Sequence, residues 1–245
     1  MKTLLTGHYR LLLAAGAVLG ALLTAVPATA GVRTCDGRPA TIQRGDGDNN
    51  ITGTTGNDVI VAGGGDDSVH AGLGRDRVCG EDGTDEVYGA PGGDPLLAGG
   101  AGRDYVTGEE GGDTVAGGDG RDGGLTTWRG GGSFQARLEG GAGDDTILGG
   151  PGNDGDGFQK TSEQLAGLSG GPGDDDLFGG AGDDDIEDQT GPNNGAGADI
   201  DQVFGGDGSE EINVEDGDDD DVVNCGPPGD ITRVTEDDGD EVTCP

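Results

Sequence analysis

A nine-residue period constrains this chain more than any other feature. Gly140-Gly141-Ala142-Gly143-Asp144-Asp145-Thr146-Ile147-Leu148 is one unit, and Gly170 to Phe178 and Gly179 to Glu187 are two more, back to back. Each has Gly at positions 1, 2 and 4, Asp at position 6 and an aliphatic residue at position 8. Fifteen such units, some worn, run along the sequence. A strand over positions 7 to 9 turns only position 8 inward, because successive side chains alternate faces. The Gly-rich half then reverses the chain, since Gly takes positive φ at no steric cost.

The register runs without a gap from Arg44 to Leu97. Its first unit, Arg44 to Thr52, has Asn49 at position 6 and Ile51 at position 8. Asp58, Asp67, Asp76, Asp85 and Asp94 follow at intervals of nine, paired with Ile60, Val69, Val78, Val87 and Leu96 as inward residues. Ala98 reads as a one-residue insertion. Three units then carry Asp104, Asp113 and Asp122, with Val106 and Val115 inward and Gly124 at the third core position. An insertion over 126–139, with apolar residues on both sides of Gly130-Gly131-Gly132, predicts a protruding hairpin. Units with Asp145 and Asp154, an insertion over 158–169, units with Asp175 and Asp184, and an insertion over 188–195 come next. A degenerate pair then places Asp201 and Glu210 at position 6, with Val203 and Ile212 inward, and the repeats end near Asn213.

The unit is the G-G-x-G-x-D-x-U-x nonapeptide, and the chain resembles the RTX (repeats-in-toxin, hemolysin-type) calcium-binding repeats. That resemblance implies an all-β fold, a right-handed parallel β-roll in which two units make one coil and residues 18 apart stack. Stacked strands lie about 4.8 Å apart and calcium–oxygen bonds are about 2.4 Å, so carboxylates one coil apart can flank one ion. Asp58, Asp76 and Asp94 would form one ladder and Asp67 and Asp85 the opposite one. The implied ligands are Asp58, Asp67, Asp76, Asp85, Asp94, Asp104, Asp113, Asp122, Asp145, Asp154, Asp175, Asp184, Asp201 and Glu210, with calcium as the cofactor and Gly-turn carbonyls completing the shell. Asp at positions 5 and 7 is expected to face solvent.

Composition agrees with an ion-dependent fold. The chain has 58 Gly, 49 acidic residues against 13 Lys plus Arg, and aromatics at 3%. Low hydrophobicity with high charge is otherwise the signature of disorder. Ordering nine residues costs roughly 9–18 kcal/mol of backbone entropy, while one buried Val or Leu returns about 1.5–3 kcal/mol. Bound divalent cations can close that gap, because binding energy becomes folding energy when the unfolded chain has no site.

The ends read differently from the middle. Lys2 and Arg10 precede an apolar run from Leu11 to Val26, and Ala28-Thr29-Ala30 is an A-x-A cleavage signal. Residues 1–30 are therefore expected to be a signal peptide cut after Ala30, which places the protein outside the cell. The run is shorter than the roughly 20 residues of a membrane span. Cys35, Cys79, Cys225 and Cys244 remain, and an even count in an exported chain implies disulfides. Three pairings are possible. Cys35–Cys79 and Cys225–Cys244 are favoured, each fastening an end segment onto the roll. Segments 31–43 and 214–245 are expected to be caps, since a solenoid needs atypical terminal units.

Other motifs carry less. Gly167-Leu168-Ser169-Gly170-Gly171 matches a nucleophile elbow, but no hydrophobic strand precedes it and no His follows. Gly118-x-Gly120-x-x-Gly123 lacks a βαβ context. Asp154, Asp156, Gly157 and Glu163 fall on EF-hand positions, without Asp at the first position. The formal charge of −36 repels phosphate, so no nucleic-acid partner is expected. The expectation is a non-enzymatic, secreted calcium-binding protein. The alternative is a calcium-dependent adhesion or scaffold protein, whose contact patch would lie around Trp128 and Phe134.

Overall fold

The computed structural model describes residues 31–122, 124–127, 133–154, 167–187, 201–214, 221–227, 233–236 and 240–244. The expected signal segment, the third insertion and most of the second lie outside them. Strands run Val59–Gly64, Ser68–His70, Arg77–Gly83, Glu86–Tyr88, Leu96–Gly102, Tyr105–Glu110 and onward, and successive strands fall alternately into two sheets. Along each sheet neighbours are parallel and two strands apart in sequence, or three where the hairpin at 124–142 intervenes. Chain reversal every half coil with parallel stacking is a β-roll, as the resemblance implied.

One side chain per strand enters the narrow space between the sheets. In the first sheet Ile60, Val78, Leu97, Val115, Ile147, Leu177, Val203 and Val223 lie in register. In the second, Ile51, Val69, Val87, Val106, Leu138, Leu168, Ile186 and Ile212 do the same. All are buried in one cluster. At the turns the coils touch through backbone: at Gly65, φ 110°, an added Cβ would lie 2.6 Å from the carbonyl carbon of Gly47.

Four expectations about register need correction. Leu97, not Leu96, occupies the core slot, because Leu96 pairs with Arg77 and Leu97 with Val78. The extra residue is therefore Pro95 rather than Ala98. Proline has no N–H to give a ladder and is tolerated at such a bulge. Leu138, assigned to the first insertion, fills the slot expected for Gly124, between Val106 and Leu168. Leu168 and Ser169, assigned to the second insertion, are likewise a strand of the roll. A core slot accepts whichever strand reaches the next coil, so an insertion can be spliced between positions 6 and 7 of a unit. The expected hairpin does form, with Gly124–Thr127 antiparallel to the start of Ser133–Ala142. Trp128 lies outside the described residues.

The sheets also continue past Asn213. Val222–Asn224 and Glu241–Thr243 extend the first sheet, and Arg233–Thr235 extends the second. At the other end the short hairpin of Thr34–Cys35 and Arg38–Pro39 is joined to the roll by the Cys35–Cys79 disulfide, Cα–Cα 5.7 Å. Cys225–Cys244, Cα–Cα 5.0 Å, links the last two coils of the first sheet.

Candidate metal centre

Position 6 lies where each strand leaves its turn, and its carboxylate is directed along the stack rather than outward. Asp58, Asp76 and Asp94 stand in one ladder: the backbone N–H of Asp58 donates to Oδ1 of Asp76 at 2.7 Å, and that of Asp76 to Asp94 at 2.8 Å. The same ladder runs on through Asp113, Asp145, Asp175 and Asp201. The opposite ladder joins Asp67, Asp85, Asp104, Asp122, Asp154 and Asp184. Glu210 follows Asp184 on that side and is fully buried. The coil spacing is kept even where insertions put 30 or 32 residues between partners.

In eleven of these carboxylates one oxygen accepts a hydrogen bond from the preceding coil and the other has no hydrogen-bond partner. Oδ2 of Asp67, Asp76, Asp85, Asp94, Asp104, Asp113, Asp122, Asp145, Asp154, Asp175 and Asp184 is buried without a hydrogen-bond donor. A point at Cβ distance from Gly140 lies 2.5 Å from Oδ2 of Asp145 and 2.8 Å from the carbonyl oxygen of Gly170. At Gly89 the corresponding distances are 2.8 Å to Asp94 and 2.6 Å to the Gly108 carbonyl. Ala62 and Ala71 take the place of that Gly in the units of Asp67 and Asp76.

Burial with no donor must be balanced by a proton or a cation. Desolvation, with adjacent carboxylates adding to it, pushes Asp85, Asp94, Asp122, Asp145 and Asp184 up to about 7. Asp104 rises to about 8 and Asp175 to about 9, again chiefly by burial. Asp67, Asp76, Asp113 and Asp154 are raised for the same first cause. The donor set is hard oxygen. No three acidic, His or Cys side chains converge among the described residues, so a cation here would take one or two carboxylates plus backbone carbonyls. That set suits calcium, which accepts six to eight oxygens in flexible geometry, and not zinc, which wants four N or S ligands.

The first coil is closed by the protein's own donors. Asn49 donates its amide to the carbonyl of Gly45 at 3.2 Å and to Oδ1 of Asp67 at 2.9 Å. Asp58 differs from the other ladder members because Thr54 donates its N–H and hydroxyl to Oδ2 at 2.7 and 2.8 Å, and Thr41 its hydroxyl to Oδ1 at 3.2 Å. Hydroxyls and an amide thus stand at the N-terminal ends of both ladders.

Two further sets of residues belong to the arrangement but not to the expected list. Asp221 is buried and accepts the N–H of Asp201 at 3.0 Å, and Asp240 accepts that of Asp221 at 3.4 Å. The signal was present: Asp221 and Asp240 each precede an inward valine by two residues. Position 5 is exposed at Asp48, Asn57, Asp144 and Asn153 but half-buried at Asp66, and position 7, also expected to face solvent, is buried at Asp185; position 5 forms an outer ladder of the opposite sense. Oδ1 of Asp48, Asn57, Asp66 and Asn153 accepts the N–H of the position-5 residue one coil later, at 3.0, 3.0, 3.1 and 3.0 Å.

The motifs of other chemistries take ordinary places. Ser169 is buried in a strand, paired with Glu139 and Glu187, where no nucleophile elbow can form. The EF-hand-like stretch lies outside the described residues except for Asp154, which is a ladder member. His70 stacks on Tyr88 at 4.6 Å on the outer face.

In sequence comparisons no curated protein matches the chain. The profile of the RTX calcium-binding nonapeptide repeat matches in four copies, at residues 44–78, 96–123, 130–155 and 168–187. All four fall on the coils that carry the buried carboxylate ladders. Over those four stretches, then, this chain carries repeats of the RTX calcium-binding nonapeptide family.

Proposed function

We propose that the protein is exported, is cleaved after Ala30, and folds outside the cell when calcium fills its carboxylate ladders. It has no catalytic role. The observation that supports this reading most is the row of buried Oδ2 atoms that have no hydrogen-bond partner. Ionised, that row opposes folding, and with cations between its members it becomes the main cohesive element. The ligands would be Asp67, Asp76, Asp85, Asp94, Asp104, Asp113, Asp122, Asp145, Asp154, Asp175, Asp184, Asp201 and Glu210, joined by Asp221. Asp58, met by two threonines, would serve as the end of its ladder.

The deciding experiment is calcium titration of residues 31–245 by circular dichroism and calorimetry. The chain should be largely disordered in chelator and gain β-structure with calcium in the range of extracellular modules, about 10⁻⁴–10⁻³ M. Magnesium, which demands tight octahedral geometry, should substitute poorly. A β-spectrum that ignored chelator would refute the reading. Mass determination of the exported chain checks the cleavage site, with Gly31 as the expected N-terminus.

A further inference from the structure

We propose that a recess beside the N-terminal hairpin is a binding site for a sulfate- or phosphate-type oxyanion, free or as a small sugar ester. The recess, about 330 Å³, is bordered by Arg38, Asn57, Asp58, Arg75, Arg77 and Pro95. Positions 5 to 7 of three successive coils supply its floor. The Pro95 bulge adds a residue there, and the disulfide-held hairpin brings Arg38 over it.

The charge is opposite in sign to the net charge of the chain. In a sequence of formal charge −36, three guanidinium groups share this one recess. Their charge is offset only in part: the Asp58 carboxylate lines the recess and Arg75 acts on the Asp94 carboxylate. Arg77 meets Asp36 at 3.4 Å, and that aspartate is largely exposed. Arg75 uses Nε on the carbonyl of Gly93 at 3.0 Å, which leaves its two terminal nitrogens for another acceptor. Arg38 makes no ion pair among the described residues. The Asp58 carboxylate on the wall already accepts three hydrogen bonds from Thr41 and Thr54.

Arginine forks match tetrahedral oxyanions in geometry as well as charge. At physiological salt the screening length is about 8 Å, so the distant carboxylates subtract little. The volume, at the lower end of small-molecule clefts, admits a monosaccharide behind the anionic group. Long polyanions would still be repelled by the rest of the surface.

The test uses calcium-saturated, disulfide-intact protein, whose β-spectrum is verified first, so that a lost fold is told apart from a lost site. Arginine Nε–H signals are followed by NMR while inorganic sulfate, or glucose 6-sulfate, is added. Saturable shifts confined to Arg38, Arg75 and Arg77 are expected. Arg38→Gln and Arg75→Gln should each weaken binding about tenfold, while Arg121→Gln leaves it unchanged. Glucose 6-sulfate binding more tightly than sulfate would identify an ester as the ligand, and equal affinities a free anion. Shifts that do not saturate, or that keep the wild-type affinity in Arg38→Gln and Arg75→Gln, would overturn the site.

Discussion

Asp104→Asn should move the stability of the ion-free and calcium-loaded protein in opposite directions. Asp104 is fully buried, takes the N–H of Asp85 on Oδ1 at 2.9 Å and has no donor for Oδ2. Burial, reinforced by Asp122 and Asp85, pushes its carboxyl from 3.8 to about 8. At pH 7 the ion-free fold must therefore hold it protonated, while the unfolded chain leaves it ionised. With each unit worth about 1.4 kcal/mol, that difference is about 4 kcal/mol against folding, to order of magnitude. Asparagine keeps the Oδ1 acceptor, removes the charge, and turns an amide toward acceptor oxygens, as Asn49 already does at the same position. In chelator the variant should gain up to that amount, read as more β-signal and a higher urea midpoint. In calcium it should bind fewer ions with a raised midpoint, because a ligand flanked by two neighbours is gone. Asp119→Asn, an exposed change of the same charge, is the control. A variant less ordered than wild type in chelator, with an unaltered calcium midpoint, would mean that these carboxylates neither oppose the empty fold nor hold ions.

Three other outcomes follow from the same geometry. Carboxyls raised in the fold bind more protons there than in the unfolded chain. The ion-free roll should therefore lose stability as pH rises from about 4 through the shifted values of about 7 to 9, and acidifying the chelated chain to pH 5 should restore β-structure in circular dichroism; a loss of β-signal on acidification would contradict this. Replacing Cys35 and Cys79 by Ser opens a closure of 44 residues and should lower stability in calcium by about 4 kcal/mol, measured by urea unfolding against the Cys225/Cys244 double variant, whose separation of 19 predicts about 3 kcal/mol. Asp144→Asn should leave the calcium midpoint unchanged, because Asn57 and Asn153 fill position 5 elsewhere and accept the same backbone bond; a shift comparable to that of Asp104→Asn would make position 5 a ligand.

What the sequence by itself determined is everything that repeats locally. Nine-residue spacing of Gly, Asp and an aliphatic residue dictates turn, acceptor and inward side chain within one unit, and no distant information is needed to see it. The roll and its two ladders followed from the resemblance that this spacing carries, and the favoured cysteine pairs and the hairpin from the even cysteine count and the apolar residues flanking Gly130-Gly131-Gly132. The tertiary structure alone decided which residue fills a slot once the period breaks. Leu138 and Leu168 enter the core from segments that looked like insertions, because a coil is completed by proximity to the coil beneath and not by distance along the chain. Leu97 displaces Leu96 because the bulge falls at the proline, which cannot join the ladder. The closing of the ladder ends by Thr41, Thr54 and Asn49, and the gathering of Arg38, Arg75 and Arg77, join residues from different coils and from the hairpin. Such contacts form along the stacking axis, perpendicular to the strands, and that direction has no counterpart in the order of residues within a unit.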